Sequence, residues 1–566
     1  MSQTPGHETS HETSAADAVR PPKPRQPHSR QPTLQQPQLR RPRSRRLPYG
    51  RAALVVIATT ALVAASTPPP GPLGLGDRIF PHLGNPGYDV LAYHLDFDYL
   101  GRNTDPLEAV TEIDARVTEP LEHINLDFAR GTVHSVEVNG RPARFATARE
   151  DLVVTPDMPI LPGMAMRVTV RHTSDPAAAG TKGETTSGGA GGAGDTADGG
   201  WLRTSDGLAM ANQADAAHRV FPCNDHPSDK AIFTFRVTAP KDLTVVANGT
   251  RTERTPSGAA TTWEYRSAHP MATELAQVSI GRSAVPVRTG PNGLPMRDVV
   301  RTRDREDMEK WLAKSPDQIA WMEGKIGRYP FETYGVLIAD ASTGFELETQ
   351  TLSLFEHRLF TEPGFPEWYV DSVMVHELSH QWFGDSVSPR RWSDVWLNEA
   401  HATWYEALYA QEKSKISMTR RMREAYARSD GWRAQGGPPA APKPPKDGRK
   451  IGIFRPVVYD GSALVLYALR ERIGQPAFDR LERTWVSRHR DGVASTADFT
   501  ALAAEISGQD LSEFFEKWLY GAKTPPMPGH ADWRPAAPQK AAPHTRSRSG
   551  PEGGGVGTKG APEDRR

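Results

Sequence analysis

The stretch VMVHELSHQWFGD, residues 373–385, carries two histidines four positions apart, with a glutamate directly after the first. On a helix, residues four apart share a face, so His376 and His380 can aim both imidazoles at one point. Zinc accepts imidazole nitrogen, and in a catalytic site it takes three protein ligands plus water. Glu377, one step round the helix, can reach that water as a base. The pattern alone also suits the polar face of an ordinary helix, so a third ligand is required. Glu399, in WLNEAHATWYE, is the candidate: it lies 19 residues after His380 on the next predicted helix. An antiparallel helix hairpin would bring it to the same point.

The chain around this stretch reads as helical. After about residue 300, apolar residues recur at helical spacing, as in DREDMEKWLAKSPDQIAWMEGKIG. YGVLIAD reads as a short buried strand, and 367–384 and 393–412 read as helices. GGPPAAPKPPKDGRK breaks the chain near 436–450. Helices return from 461, and Asp510 with Glu513 has the spacing of a capping box.

From about Tyr88 to Arg288 the period changes to two. In YHLDFDY, Tyr93, Leu95, Phe97 and Tyr99 alternate with His94, Asp96 and Asp98, and INLDF, FTFRV and LTVVANG continue the pattern. This predicts an antiparallel β domain with one wet face. A glycine-rich run at 180–200 reads as a flexible loop. Its Gly189, Gly191 and Gly194 match a dinucleotide-binding spacing, but no strand precedes and no helix follows, which excludes a nucleotide site.

Length and charge bound the rest. The 566 residues allow two to four domains. Basic and acidic residues number 68 each, which argues against nucleic acid as a general partner. Cys223 is the only cysteine, so no intrachain disulfide can form. Residues 18–51 hold ten Lys or Arg and no Asp or Glu, among prolines and glutamines, and the basic, Pro-rich stretch 1–51 is expected to be disordered. Ala52–Ser66 is uncharged and apolar. It suits the core of a signal peptide, with Val63 and Ala65 as small cleavage-site residues, or a membrane anchor if residues 52–67 are retained. Either reading leaves the basic end in the cytoplasm and the rest outside. The tail, 526–566, is rich in Pro, Gly and charge and is expected to be disordered.

Taken together, HELSHQWFGDSV and WSDVWLNEAHATWYEA resemble the aminopeptidase N family of zinc peptidases, with H-E-x-x-H, eighteen residues, then Glu. FPCNDHPSDKAIFTF, 221–235, resembles the family's motif near the end of its β domain. VVYDGSALVLYALR, 457–470, resembles the segment that carries its catalytic tyrosine. The resemblance covers roughly residues 80–525. It implies an α+β, multidomain fold: an N-terminal antiparallel β-saddle domain over 80–288, packed on a thermolysin-like, mainly helical zinc catalytic domain over 289–525. On this resemblance, the family's long C-terminal helical domain, which would follow FFEKWLYG, is expected to be missing.

The resemblance also implies roles. One catalytic Zn2+ would be held by His376, His380 and Glu399, with Glu377 as general base and Tyr459 donating to the oxyanion. The family grips the substrate's α-amine with the glutamate of a Gly-Ala-Met-Glu-Asn strand. The matching stretch here is TGFELETQ, where Glu348 is the best match and Glu346 an alternative. Gln213 matches a pocket glutamine, and Asp215 stands where the family has a second amine-binding glutamate. His401, about 200° round the helix from Glu399, is not expected to reach the same ion. Ala400-His401 replaces the family's Gly-Phe. Asp385 and Asn398 are candidate supports. The expected activity is release of N-terminal residues from peptides with a free N-terminus, outside the cytoplasm. A thermolysin-type endopeptidase and a silent, anchored binding protein are the competing readings.

Overall fold

Period-two sequence becomes strand, as the alternation predicts. In the strand Tyr88–Asp98, Tyr93, Leu95 and Phe97 are fully buried while Leu91 and Asp98 face out. It lies inside an eight-stranded sheet. In order, the strands are Thr250–Ser257, Ala260–Arg266, Ile232–Pro240, Tyr88–Asp98, Leu107–Val117, Ala165–Ser174, Val133–Val138 and Arg141–Pro142. The computed structural model describes residues 74–176, 199–341, 343–444 and 453–536. These fall within one compact unit, Pro68–Arg566.

The sheet departs from the expected pattern in one place. Tyr88–Asp98 runs parallel to Ile232–Pro240, from Ala92 opposite Ile232 to Asp98 opposite Thr238. All other pairs in this sheet are antiparallel. A parallel pair needs a long crossover, and here it passes through further strands. These include Leu208–Ala211 and Gly200–Arg203, which join Thr244–Ala247 and Val278–Gly281 in a four-stranded sheet. Strands continue past residue 288 to Val300–Arg301.

Ten α-helices follow among the described residues. They are α1 (Arg305–Leu312), α2 (Ser315–Lys325), α3 (His357–Thr361), α4 (Glu367–His380), α5 (Trp396–Ser414), α6 (Met418–Gly436), α7 (Asp460–Ile473), α8 (Gln475–His489), α9 (Thr496–Ser507) and α10 (Ser512–Phe515). Two strands, Val336–Ala339 and Ser353–Glu356, pair in parallel ahead of α3. One core is built by the sheets around Tyr93, Phe233 and Phe235. A second is built by the helices around Trp382, Trp396, Leu466 and Trp485.

The expected capping box at Asp510 and Glu513 is absent. Asp510 accepts from the Ser512 N–H, Glu513 pairs with Lys517, and α10 is a single turn. The true box is at α9, where Ser495 and Asp498 exchange hydrogen bonds. The predicted disordered segment 1–51, the signal or anchor 52–67 and most of the glycine-rich loop lie outside the described residues. The tail expected to be disordered over 526–566 is ordered at its start: Met527 and Trp533 are buried in the helical core, because their apolar side chains pack there, and residues beyond 536 lie outside the described residues. Among the described residues no helix is long and apolar enough to cross a membrane.

Candidate active site

Helix α4 is buried on nearly every side: ten of its fourteen residues are inaccessible, His376, Glu377 and His380 among them. Buried polar groups need partners, so three ionisable residues in the middle of a core helix mark a built site. Helix α5 packs against α4 and delivers Glu399, likewise buried. Glu399 Oε2 lies 3.4 Å from His376 Nε2 and 3.6 Å from His380 Nε2. That oxygen is buried without a conventional hydrogen bond. A tetrahedral ion with bonds of about 2.0–2.1 Å sets its ligands roughly 3.4 Å apart, so these three atoms fit zinc.

The far side of each imidazole is fixed. His380 Nδ1 contacts the Phe383 carbonyl at 3.1 Å, and His376 Nδ1 contacts Glu406 Oε2 at 3.1 Å. Both rings can thus donate from Nδ1 and present Nε2 to a metal. Glu406 also pairs with Arg421, whose guanidinium pairs in turn with Asp460 at the start of α7. Burial would raise Glu406, but Arg421 and His376 outweigh it and hold its carboxyl down at about 2. For His376, burial favours the neutral ring, yet the Glu399 and Glu406 carboxylates overcome it and push the imidazole well above its ordinary value.

Glu348 and Glu377 close the other side. Together with His380 they form a second cluster of potential ligand atoms, all within 4.8 Å of one another. Glu348 Oε1 sits 3.9 Å from His380 Nδ1 and accepts a hydrogen bond from Gln213 Nε2 at 2.7 Å. Burial raises Glu377 well above the usual carboxylate range; His376 opposes this, and Glu348, Glu346 and Glu399 add to it. A divalent cation bound among these carboxylates would supply the missing counter-charge.

The structure places the two candidate carboxylates differently. Leu347 bridges Leu354 in antiparallel register, and Glu348 faces the cluster. Glu346 Oε2 instead accepts from the Glu356 N–H at 2.6 Å. Tyr459 sits just before α7, its ring 6.0 Å from that of His376. Burial and the carboxylates of Glu399, Glu348 and Glu377 push its phenol well above 10, so it stays a hydrogen-bond donor. Asp215 is buried two residues from Gln213. His401 is outside the His376–His380–Glu399 cluster, stacked on Phe383 at 4.3 Å and in contact with Glu482. Asp385 is a support: its Oδ2 accepts from Gln381 Nε2 at 2.8 Å. Cys223 is buried and its thiol is raised by burial.

Two residues escaped the sequence reading. Gln381 spans the gap between α4 and the Glu348 segment. Its Nε2 donates to the Glu348 carbonyl and to Asp385, and its Oε1 accepts from Thr351 N–H and Tyr329 O–H. Glu406 had a visible signal: it lies seven residues after Glu399, two turns along the same face. Lys230, inside the 221–235 stretch, explains part of that motif. Its ammonium donates to the carbonyls of Asp385 at 2.6 Å and Ser386 at 3.0 Å, tying the sheets to the loop after α4. Gly384 in that loop has φ +133°, and a Cβ there would crowd Asn398 and His380.

The comparisons with known proteins agree with this geometry. The Peptidase family M1 domain matches residues 313–518, and the Peptidase M1 N-terminal domain matches 209–275. These matches support an aminopeptidase N-like family of M1 zinc metallopeptidases. It is 26% identical over 462 residues to aminopeptidase N of Streptomyces lividans, covering 76% of this chain and 50% of that protein. It is 23% identical over 450 residues to tricorn protease-interacting factor F2 of Thermoplasma acidophilum, covering 77% and 53%. The chain thus spans about half the length of these curated relatives. The crystal structure of an M1 zinc metallopeptidase from Deinococcus radiodurans superposes with a TM-score of 0.67 at 26% identity, covering 82% of this chain and 99% of that one. A mutant of the Deinococcus protein was solved bound to a Tyr-Ser-Ala substrate; it superposes at 0.68 with 26% identity, covering 80% and 99%.

The Glu406 contact predicts an effect on metal retention. Glu406→Gln keeps the size but loses the charge that orients the His376 ring, so zinc affinity should fall by roughly 10- to 100-fold. Competition against a fluorescent chelator measures this. An unchanged affinity would leave Glu406 as a partner of Arg421 alone.

Proposed function

We propose that the protein is a zinc-dependent aminopeptidase that removes N-terminal residues from peptides and acts outside the cytoplasm. One observation carries the reading: the Glu348 carboxylate is held by Gln213 at 2.7 Å, next to the His376–His380–Glu399 cluster. A carboxylate one residue's reach from the reacting centre is where an α-ammonium finds its partner, since an unpaired buried charge is costly. The Tyr-Ser-Ala substrate of the Deinococcus neighbour supports a peptide as ligand. The uncharged segment Ala52–Ser66 after a basic leader supports a site outside the cytoplasm, with the membrane as a partner if that segment is retained.

His376, His380 and Glu399 would hold a zinc ion, which when bound would supply a Lewis acid and make water a better nucleophile. Glu377 takes the proton of the attacking water on its carboxylate and returns it to the leaving amine. Tyr459 donates its phenolic proton as a hydrogen bond to the developing oxyanion. Glu348 and Gln213 fix the free amine, so the chain is cut after its first residue. A silent binding protein would have no use for a raised base and a protonated phenol facing one buried cluster.

The test is a matched pair of peptides, one free and one N-acetylated. A charge-assisted hydrogen bond is worth about 1.5–3 kcal/mol. Acetylation should therefore cost at least roughly 10- to 150-fold in kcat/KM. Glu348→Ala should hurt the free peptide far more than the blocked one. Equal cleavage of both by the unaltered protein would replace this reading with the endopeptidase one.

A further inference from the structure

Glu346 is a carboxylate near the cluster with no part in the chemistry above. It stands where the family's Gly-Ala-Met-Glu-Asn strand has alanine. Its direction follows from the strand it belongs to. Leu347 pairs with Leu354, and both side chains lie in the core of the sheets. Phe355, the next residue on the partner strand, points the other way into the helical core. Side chains alternate along an extended chain, so Glu346 and Glu348 both project to the helix side, towards α4.

The two carboxylates lie at different places along the strand. Glu348 is beside His380, at the end of α4, whereas Glu346 lies two residues earlier, its Oε2 accepting from the N–H of Glu356, just before α3. A peptide with its amine at Glu348 and its first carbonyl at the metal cluster therefore continues towards Glu346. Two strand residues span about 6.5–7 Å, and successive Cα atoms of an extended peptide lie about 3.8 Å apart. The second residue of the peptide, on the leaving side of the scissile bond, thus arrives beside Glu346.

Glu346 is also short of a partner. Among the described residues its hydrogen bond is to the Glu356 N–H, and no Lys, Arg or His is paired with it. A partly buried carboxyl of this kind favours a cation brought to it. We propose that Glu346 makes this cleft select peptides whose second residue is Lys or Arg. The inference rests on the aminopeptidase reading, which places the amine at Glu348.

Four peptides, Ala-Lys-Ala, Ala-Arg-Ala, Ala-Met-Ala and Ala-Glu-Ala, test it by release of free alanine from the full chain. The kcat/KM ratio of Lys or Arg over Met should be about tenfold, as one charge-assisted contact predicts. Glu346→Gln should bring that ratio to within about twofold, and Glu346→Lys should reverse it in favour of Ala-Glu-Ala. Ratios taken within each variant cancel any general loss of activity. The same ratios should appear in dissociation constants measured by calorimetry in a Glu377→Gln background, where turnover is not needed. A Lys-to-Met ratio near one in the unaltered protein, or a ratio that survives Glu346→Gln, overturns the proposal. Equal cleavage of free and acetylated Ala-Met-Ala strikes the aminopeptidase reading, and this inference falls with it. A ratio near one with the free-amine requirement intact strikes this inference alone.

Discussion

Glu377→Gln should hold zinc and lose turnover, with kcat down by roughly 10²–10⁴-fold. The amide is nearly isosteric with the carboxylate and fills the same buried position in α4. It cannot accept the proton of the attacking water. The His376, His380 and Glu399 ligand atoms are untouched, so metal content should stay at about one ion per chain. Folding should not suffer either. The native carboxylate is pushed up by burial and by Glu348, Glu346 and Glu399 around it, so a neutral group relieves repulsion. Elemental analysis beside steady-state kinetics separates the two effects. Wild-type kcat in a zinc-loaded variant would remove Glu377 from the role of base.

Tyr459→Phe should lower kcat by roughly 10²–10³-fold, the loss typical of one oxyanion donor. Only the phenolic oxygen is removed. The Tyr459 carbonyl still accepts from the Ser462 and Ala463 N–H groups, so the start of α7 is preserved. The next residue, Asp460, anchors that helix to Arg421, which holds Glu406 against His376. The tyrosine and the zinc ligands are therefore set by one chain of ion pairs, and the ring should keep its place without its hydroxyl. Because burial and the nearby carboxylates keep the phenol protonated, its loss should lower kcat across the pH range rather than shift an alkaline limb. A near-normal kcat would return Tyr459 to a packing role.

Local periodicity was enough to place much of this site. His376 and His380 share a face because a helix repeats every 3.6 residues, and that is a property of the segment alone. The strand Tyr88–Asp98 buried the side chains its alternation marked. Glu399 needed one further assumption, a helix hairpin, and the packing of α5 on α4 supplies it.

What the segment alone could not carry was decided by contacts distant in sequence. Glu346 and Glu348 share a face of their strand, and only the pairing of Leu347 with Leu354 and the position of α4 show which one meets the metal cluster. Gln213 reaches Glu348 across 135 positions of chain, and Lys230 reaches the Asp385 carbonyl across 155. The parallel pairing of Tyr88–Asp98 with Ile232–Pro240 is equally invisible to period two, because alternation is the same in either direction. The amino-acid sequence by itself determined the shared face of His376 and His380, the glutamate beside it and the division into strand and helix, since each depends on spacing within one element. The tertiary structure alone decided which carboxylate sits beside His380 and which groups hold the two imidazoles, since a side chain's partner is set by what packs against it and not by its neighbours in the chain.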